Sequence, residues 1–193
     1  MYGHCADPQE FWVPLMEKAY AKLHGNYQIL HGGDIAESLV DFTGGVSEQY
    51  DLSNPETAEK IENGQFWKDL KKYHQQGFLI GCQNIVEEET GENMGTTGIL
   101  FNHSYGVQRI VDVDGLQLMR IRNPWGHGDW TGKFADEDEA WDDNKGLREK
   151  LNYTTFKNDG NWWMKYDDWF QHYNRVYVCK IFPSQWSQFS IND

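Results

Sequence analysis

The sequence has few of the features that mark membrane-spanning or secreted proteins. Its 193 residues contain no apolar run long enough to cross a bilayer, and the N-terminus lacks a basic segment followed by an apolar core. Only three cysteines are present, an odd number without the spacing of a disulfide framework or a zinc site. We therefore expect a cytoplasmic protein with no transmembrane segment.

Positive charge is also scarce. Seventeen Lys and Arg residues face 30 Asp and Glu residues, which gives a formal net charge of -13. Because such a surface repels a phosphate backbone, we expect no nucleic-acid partner. Aromatic residues, in contrast, are abundant, with nine Trp among them, and most of these should pack in a core.

A histidine and an asparagine stand at the outer ends of two segments that alternate between apolar and polar residues. His103 precedes residues 105–113, Asn123 follows residues 116–121, and the Asp-Gly pair at 114–115 is a hairpin turn signal. A hairpin closing there brings His103 and Asn123 to the same edge of one sheet. In a thiol protease an imidazole takes the proton of the thiol, and an Asn side chain fixes the tautomer and plane of the imidazole ring. The pair predicts two thirds of a Cys-His-Asn apparatus, although a lone histidine on a strand is more often structural.

The remaining periodicity predicts helices and strands along the whole chain. Residues 7–10 look like a capping box ahead of a helix from Trp12 to His24, which Gly25 would end. The apolar stripe of this helix comprises Leu15, Met16, Ala19 and Leu23. Further helices are predicted from residue 55, over 65–76 and over 167–173, and strands over 78–83, 100–113, 116–123 and 175–182.

Two segments resemble the histidine and asparagine motifs of the calpain family of calcium-dependent cysteine endopeptidases. They are residues 102–107, NHSYGV, and residues 120–126, RIRNPWG. Other blocks between residue 10 and residue 164 also resemble the family and stand in the same order. The resemblance implies an α+β fold, the papain-like second lobe of a calpain, with antiparallel β-sheets and flanking helices. It implies three parts: residues 1–43 as the C-terminal helix and connector of the first (Cys) lobe, 44–185 as the second (His/Asn) lobe, and 186–193 as a tail.

The nucleophile that such an enzyme needs is missing from the sequence. The family motif Gln-Gly-x-x-Gly-Asp-Cys-Trp does not occur. Cys5 has neither a following Trp nor a glycine-rich turn, whereas Cys82 and Cys179 stand in segments typical of buried structural thiols. We expect His103 and Asn123 to serve protein substrates only with a Cys-bearing first lobe as partner, and the chain alone to be inactive. The alternative is a non-catalytic calpain-like module that binds calcium or a partner. Retention of both His103 and Asn123 favours the protease.

Two acidic loops after Asn123 suit calcium, which takes about six to eight oxygen ligands from flexible loops. The resemblance implies that Asp129, Asp136 and Asp159 ligate through their side chains, Lys157 through its backbone carbonyl, and Asn161 through its side-chain oxygen. The alternative is a solvated acidic surface.

Trp125 follows Asn123 by two positions, so it should lie at the catalytic edge. The resemblance implies that Trp125 wedges between the lobes without calcium and moves aside when calcium binds. The alternative for Trp125 is ordinary core packing.

Overall fold

The computed structural model describes residues 3–5, 7–87, 95–128, 130–144, 146–153 and 159–183. In this part of the chain the α-helices are α1 Trp12–His24, α2 Ile35–Thr43, α3 Pro55–Glu62, α4 Gln65–Gln75, α5 Ala140–Asp143, α6 Leu147–Leu151 and α7 Tyr166–His172, with a 3-10 helix over Tyr27–His31. The strands are β1 Val46–Asp51, β2 Leu79–Gln83, β3 Ser104–Val113, β4 Leu116–Arg122, β5 Asn161–Lys165 and β6 Arg175–Lys180. No described helix combines the length and apolarity needed to span a membrane.

The described strands form one sheet in the order β1-β6-β2-β3-β4-β5, and every neighbouring pair is antiparallel. The predicted α+β class with antiparallel strands is therefore confirmed. Because β3, β4 and β5 are neighbours, the segments that carry the candidate site residues lie in the same half of the sheet.

The β3–β4 hairpin forms where the Asp-Gly signal predicts it. Val113 pairs with Leu116 next to the turn, and both turn residues, Asp114 (φ 51°) and Gly115 (φ 79°), are left-handed, as a type I′ turn requires. The pairing shifts by one residue between Val107 and Arg109, which is a β-bulge. Beyond the bulge, pairing continues to Gly106 and Arg122 at the open end of the hairpin, next to His103 and Asn123.

Apolar side chains are buried on both faces of β4 and β5. Ile121 and Trp162 belong to the larger core cluster, whereas Leu118 and Trp163 belong to a second cluster with α5 and α6. Four tryptophans, Trp141, Trp162, Trp163 and Trp169, are almost completely buried. Packing on both faces fixes the position of the strand ends, because a slip of β4 by one residue would exchange its two apolar faces.

Helix α1 has the predicted bounds but neither the predicted cap nor a buried stripe. Asp7 Oδ1 accepts the Gln9 N–H in a turn before the helix, and the N-cap residue is Phe11, without a side-chain cap, so the capping box is wrong. Leu15 and Leu23 are 63% and 70% exposed. In the described part of the chain, the apolar stripe of α1 is therefore exposed to solvent.

Candidate active site

His103 and Asn123 lie next to each other at the open end of the β3–β4 hairpin, one residue before β3 and one after β4. His103 Nε2 is 2.9 Å from Asn123 Oδ1, and the two residues are only 4% and 1% exposed. The geometric expectation drawn from the turn signal is therefore met: the imidazole and the carboxamide meet.

The hydrogen bonds of Asn123 determine which nitrogen of His103 carries the proton. Asn123 Nδ2 donates to the carbonyl of His127 (2.9 Å), and Oδ1 accepts the backbone N–H of Trp125 (3.0 Å). These bonds fix the carboxamide with its oxygen toward His103, so Nε2 must donate. A neutral imidazole with its proton on Nε2 has its basic lone pair on Nδ1. The pair can thus present a base at Nδ1.

The backbone before His103 is held in an unusual conformation. Asn102 has φ 54°, a left-handed value that Asn tolerates better than most residues. Its N–H donates to the carbonyl of Asn84 (2.7 Å), and its side chain accepts the Val86 N–H (2.9 Å). Sequence reasoning used Asn102 only as part of a motif, yet its bonds fix the position of the backbone immediately before His103.

Two aromatic rings flank the imidazole. Tyr105 contacts it edge-on, with ring centroids 4.8 Å apart, and Trp125 lies 4.6 Å away on a tilted plane. The Tyr105 hydroxyl accepts the Leu100 N–H (2.8 Å), which anchors that ring. Trp125 is 45% exposed, so ordinary core packing does not describe it. It lies against His103, at the edge of the sheet that carries His103 and Asn123, as its distance from Asn123 in the sequence predicts.

Three of the five residues expected to bind calcium can be located, whereas Asp129 and Lys157 lie outside the described residues. Asp136 Oδ1 accepts the Tyr153 hydroxyl, and Asp159 Oδ1 accepts both the N–H and the Nδ2–H of Asn161 (3.0 and 2.9 Å). The Asn161 side-chain oxygen is buried and has no hydrogen-bond partner among the described residues. Those residues contain no cluster of three or more His, Cys, Asp or Glu side chains placed to hold a metal ion.

Asp136 and Asp159 nevertheless act on the same phenol. The pKa of Tyr153 is raised far above its usual value, first by burial, then by the bond to Asp136, and also by the negative charge of Asp159. Arg120 opposes this rise, with its guanidinium carbon 5.6 Å from the centre of the Tyr153 ring. The two carboxylates therefore share one neighbourhood.

Two of the three cysteines are buried inside the protein, and the third is half-buried. Cys82 is fully buried opposite Tyr105 in the sheet, and burial raises the pKa of its thiol to about 12. Cys179 is buried with its sulfur 3.4 Å from Thr43 Oγ1, and Cys5 is half-buried before α1. A thiol with the pKa of Cys82 stays protonated at neutral pH and is a poor nucleophile.

Comparison with known proteins identifies a family for this sequence. Residues 1–180 match the family described as calpain family cysteine protease. The chain is 35% identical to the calpain-type cysteine protease DEK1 of Arabidopsis thaliana over 184 residues, which is 95% of this chain and 8% of that protein. It is 37% identical to calpain-9 of Homo sapiens over 189 residues and 35% identical to the calpain-2 catalytic subunit of Mus musculus over 188 residues, in each case 95% of this chain and 26% of the relative.

The chain thus spans between 8% and 26% of the length of these three relatives. The match nevertheless covers residues 1–180, including both motif segments and the β-sheet that brings them together. The chain belongs to the calpain family of cysteine proteases.

Proposed function

We propose that this chain carries the histidine and asparagine of a calcium-regulated cysteine endopeptidase that makes limited cuts in protein substrates in the cytoplasm. The observation that carries the proposal is the buried 2.9 Å contact between His103 Nε2 and Asn123 Oδ1. A non-catalytic module has no need of an imidazole whose tautomer is set by a neighbouring amide. The contact therefore favours the protease over the binding module.

In this proposal His103 moves a proton in two directions. Nδ1 takes the proton of a thiol, and the thiolate attacks the carbonyl carbon of the peptide bond to give a tetrahedral intermediate. The intermediate collapses when the C–N bond breaks and the imidazolium gives its proton to the leaving amine, which leaves an acyl-enzyme that water hydrolyses. Asn123 Oδ1 accepts the Nε2–H throughout, so it keeps the ring oriented in both charge states.

The thiol in this proposal comes from a Cys-bearing first lobe outside the chain. Cys82 and Cys179 are buried, and the raised pKa of the Cys82 thiol disfavours its thiolate. The exposed apolar stripe of α1 offers a surface on which such a lobe can pack. This supports the proposed assignment of residues 1–43 to the first lobe, and the proposal continues with residues 44–185 as the second lobe and 186–193 as a tail.

Calcium is proposed as the regulator of the site. Asp136, Asp159 and the buried Asn161 oxygen without a partner among the described residues are oxygen donors of the kind calcium prefers, and we propose that Asp129 and Lys157 complete the set. Bound at this site, calcium would supply a positive charge and would order these oxygen donors around itself. We further propose that Trp125, half-exposed against His103, is a wedge between the lobes whose position depends on that order.

The test is reconstitution with a Cys-bearing calpain first lobe. The mixture should cleave a fluorogenic peptide, and His103→Ala should lower kcat/KM by on the order of 10²–10⁴. His31→Ala, which changes an exposed histidine, is the matched control and should leave the rate unchanged. If the His103→Ala mixture is as active as the unsubstituted mixture, His103 is not the general base.

A further inference from the structure

The end of strand β4 is bound to residues 159 and 160 by two consecutive hydrogen bonds. The Arg122 guanidinium donates from Nη1 to the carbonyl of Asp159 (2.7 Å), and the backbone N–H of Asn123 donates to the carbonyl of Gly160 (2.7 Å). The second bond is ordinary main-chain pairing, whereas the first depends on one side chain. Arg122 thus adds a charged donor at the point where the acidic loop enters β5.

Gly160 lets the two segments approach backbone to backbone. Its φ is 79°, and a Cβ there would lie 2.9 Å from the Asn123 carbonyl oxygen and 3.0 Å from Gly126 Cα. The first distance is shorter than real Cβ contacts, the second is tighter than most of them, and the positive φ disfavours a side chain, so only glycine fits without displacing the backbone. Residues 159–160 therefore rest directly on residues 123–126, which carry Trp125.

On its other side, the same segment holds the catalytic candidates. Asn123 bonds His103 and the Trp125 N–H through Oδ1, and the His127 carbonyl through Nδ2. A displacement of residues 159–160 toward Asn123 cannot be absorbed between them, because backbone touches backbone there. It must move the segment that orients His103 and Trp125.

We propose that Arg122 is a positioning residue that locks residues 159–160, just before β5, against residues 123–126, and thereby couples them to Trp125 and to the His103–Asn123 pair. The functional consequence of this inference rests on the proposed function, whereas the arrangement of the residues follows from the contacts described above. Arg122 acts through the Asp159 carbonyl and contacts no reacting atom. Removing its donor loosens the loop whether or not calcium is present.

The experiment compares Arg122→Met with a matched arginine on the same hairpin. Arg109 Nη1 also donates to a backbone carbonyl, that of Leu151 (2.6 Å), so Arg109→Met removes the same kind of bond without touching residues 123–128 or 159–161. The full chain is labelled with 5-fluorotryptophan, and the fluorine resonance of Trp125 is assigned by its loss in Trp125→Phe. Each variant is recorded without metal and during a calcium titration.

Arg122→Met should shift the Trp125 resonance in the metal-free chain and raise the calcium midpoint by about fivefold or more, within the usual range of coupling between sites. Arg109→Met should overlay the unsubstituted chain in both measurements. Urea midpoints for both variants show whether a shift reflects global loss of stability.

Two results would overturn the inference: a Trp125 resonance unmoved by Arg122→Met, or an equal movement in Arg109→Met. If calcium moves no resonance in any variant, the calcium part of the proposed function fails. The metal-free comparison then still decides the role of Arg122. The reconstituted peptidase assay, which needs no fluorine label, tests the protease proposal separately.

Discussion

At the scale of single residues, Asn123 does more than orient a ring. Its side chain bonds His103, the Trp125 backbone and the His127 carbonyl, so it organises the whole loop after β4. All these bonds are formed by a residue that is nearly inaccessible to water. The polar groups around it would lose their partners together if it were removed.

We therefore expect Asn123→Ala to lower the free energy of unfolding by about 1–3 kcal/mol, the cost of leaving a buried donor unsatisfied. Urea denaturation followed by circular dichroism measures the change. Gln117→Ala, at an exposed position of the same strand, should stay within about 0.5 kcal/mol of the parent chain. Equal stability of the parent and the Asn123→Ala chain would mean that water replaces the carboxamide.

Cysteine reactivity follows from burial in the same way. The pKa of Cys82 is raised to about 12 by burial, so at pH 8 its thiolate fraction is negligible and reagents cannot reach it. Of the three thiols, only the half-buried Cys5 should react quickly with a maleimide in the folded chain. Mass spectrometry should find one label, which Cys5→Ser abolishes, and three labels in denaturant. Rapid native labelling of Cys82 would contradict the burial.

At the scale of helices and strands, the sequence predicts elements best where a local signal decides them. The Asp-Gly turn set the β3–β4 hairpin and with it the meeting of His103 and Asn123, because both turn residues are left-handed. The bounds of α1 were also predicted correctly. In each case a few adjacent residues carry the whole signal.

Elements that depend on tertiary packing were missed. Strand β5 reads NWWMK without apolar–polar alternation, because it is buried on both faces between two core clusters. Strand β1 reads VSEQYD, is half-exposed at the sheet edge, and is fixed by pairing with β6 far along the chain. Arg122 and Gly160 were not recognised as functional, since their roles depend on a contact between segments about 37 residues apart.

The exposed stripe of α1 yields a prediction at this scale. In the chain alone, changing both Leu15 and Leu23 to Ser should change the free energy of unfolding by no more than about 1 kcal/mol, since neither is buried. Leu70→Ala, in the core, should cost about 2–5 kcal/mol.

If α1 packs on a Cys-bearing lobe, the same double variant should weaken association with that lobe at least about tenfold. Lys18→Ser, on the same helix, is the control and should bind normally. Calorimetry or analytical ultracentrifugation of the mixture measures the affinity. Unchanged affinity would show that the stripe serves another purpose.

At the scale of the whole molecule, polar groups of aromatic residues are buried along with their rings. Tyr153, Tyr166 and Tyr173 are all buried, and burial is the largest cause of the raised pKa of each phenol. Tyr166 and Tyr173 belong to the larger core cluster, and Tyr153 belongs to the second cluster. Unfolding would expose these phenols to water, so the stability of the folded chain depends on their protonation.

Stability should consequently fall at alkaline pH. An unfolded phenol ionises near its ordinary pKa of 10.0, whereas the buried phenols stay protonated to higher pH. Above about pH 10 the folded chain thus binds more protons than the unfolded chain, and the free energy of unfolding decreases as pH rises, by up to about 1.4 kcal/mol per pH unit for each phenol. Urea midpoints measured from pH 8 to 11 should show a plateau followed by a decline. Tyr153→Phe should decline less steeply, because it removes one titrating group, and a curve that is flat to pH 11 would mean that the phenols ionise in the folded chain as well.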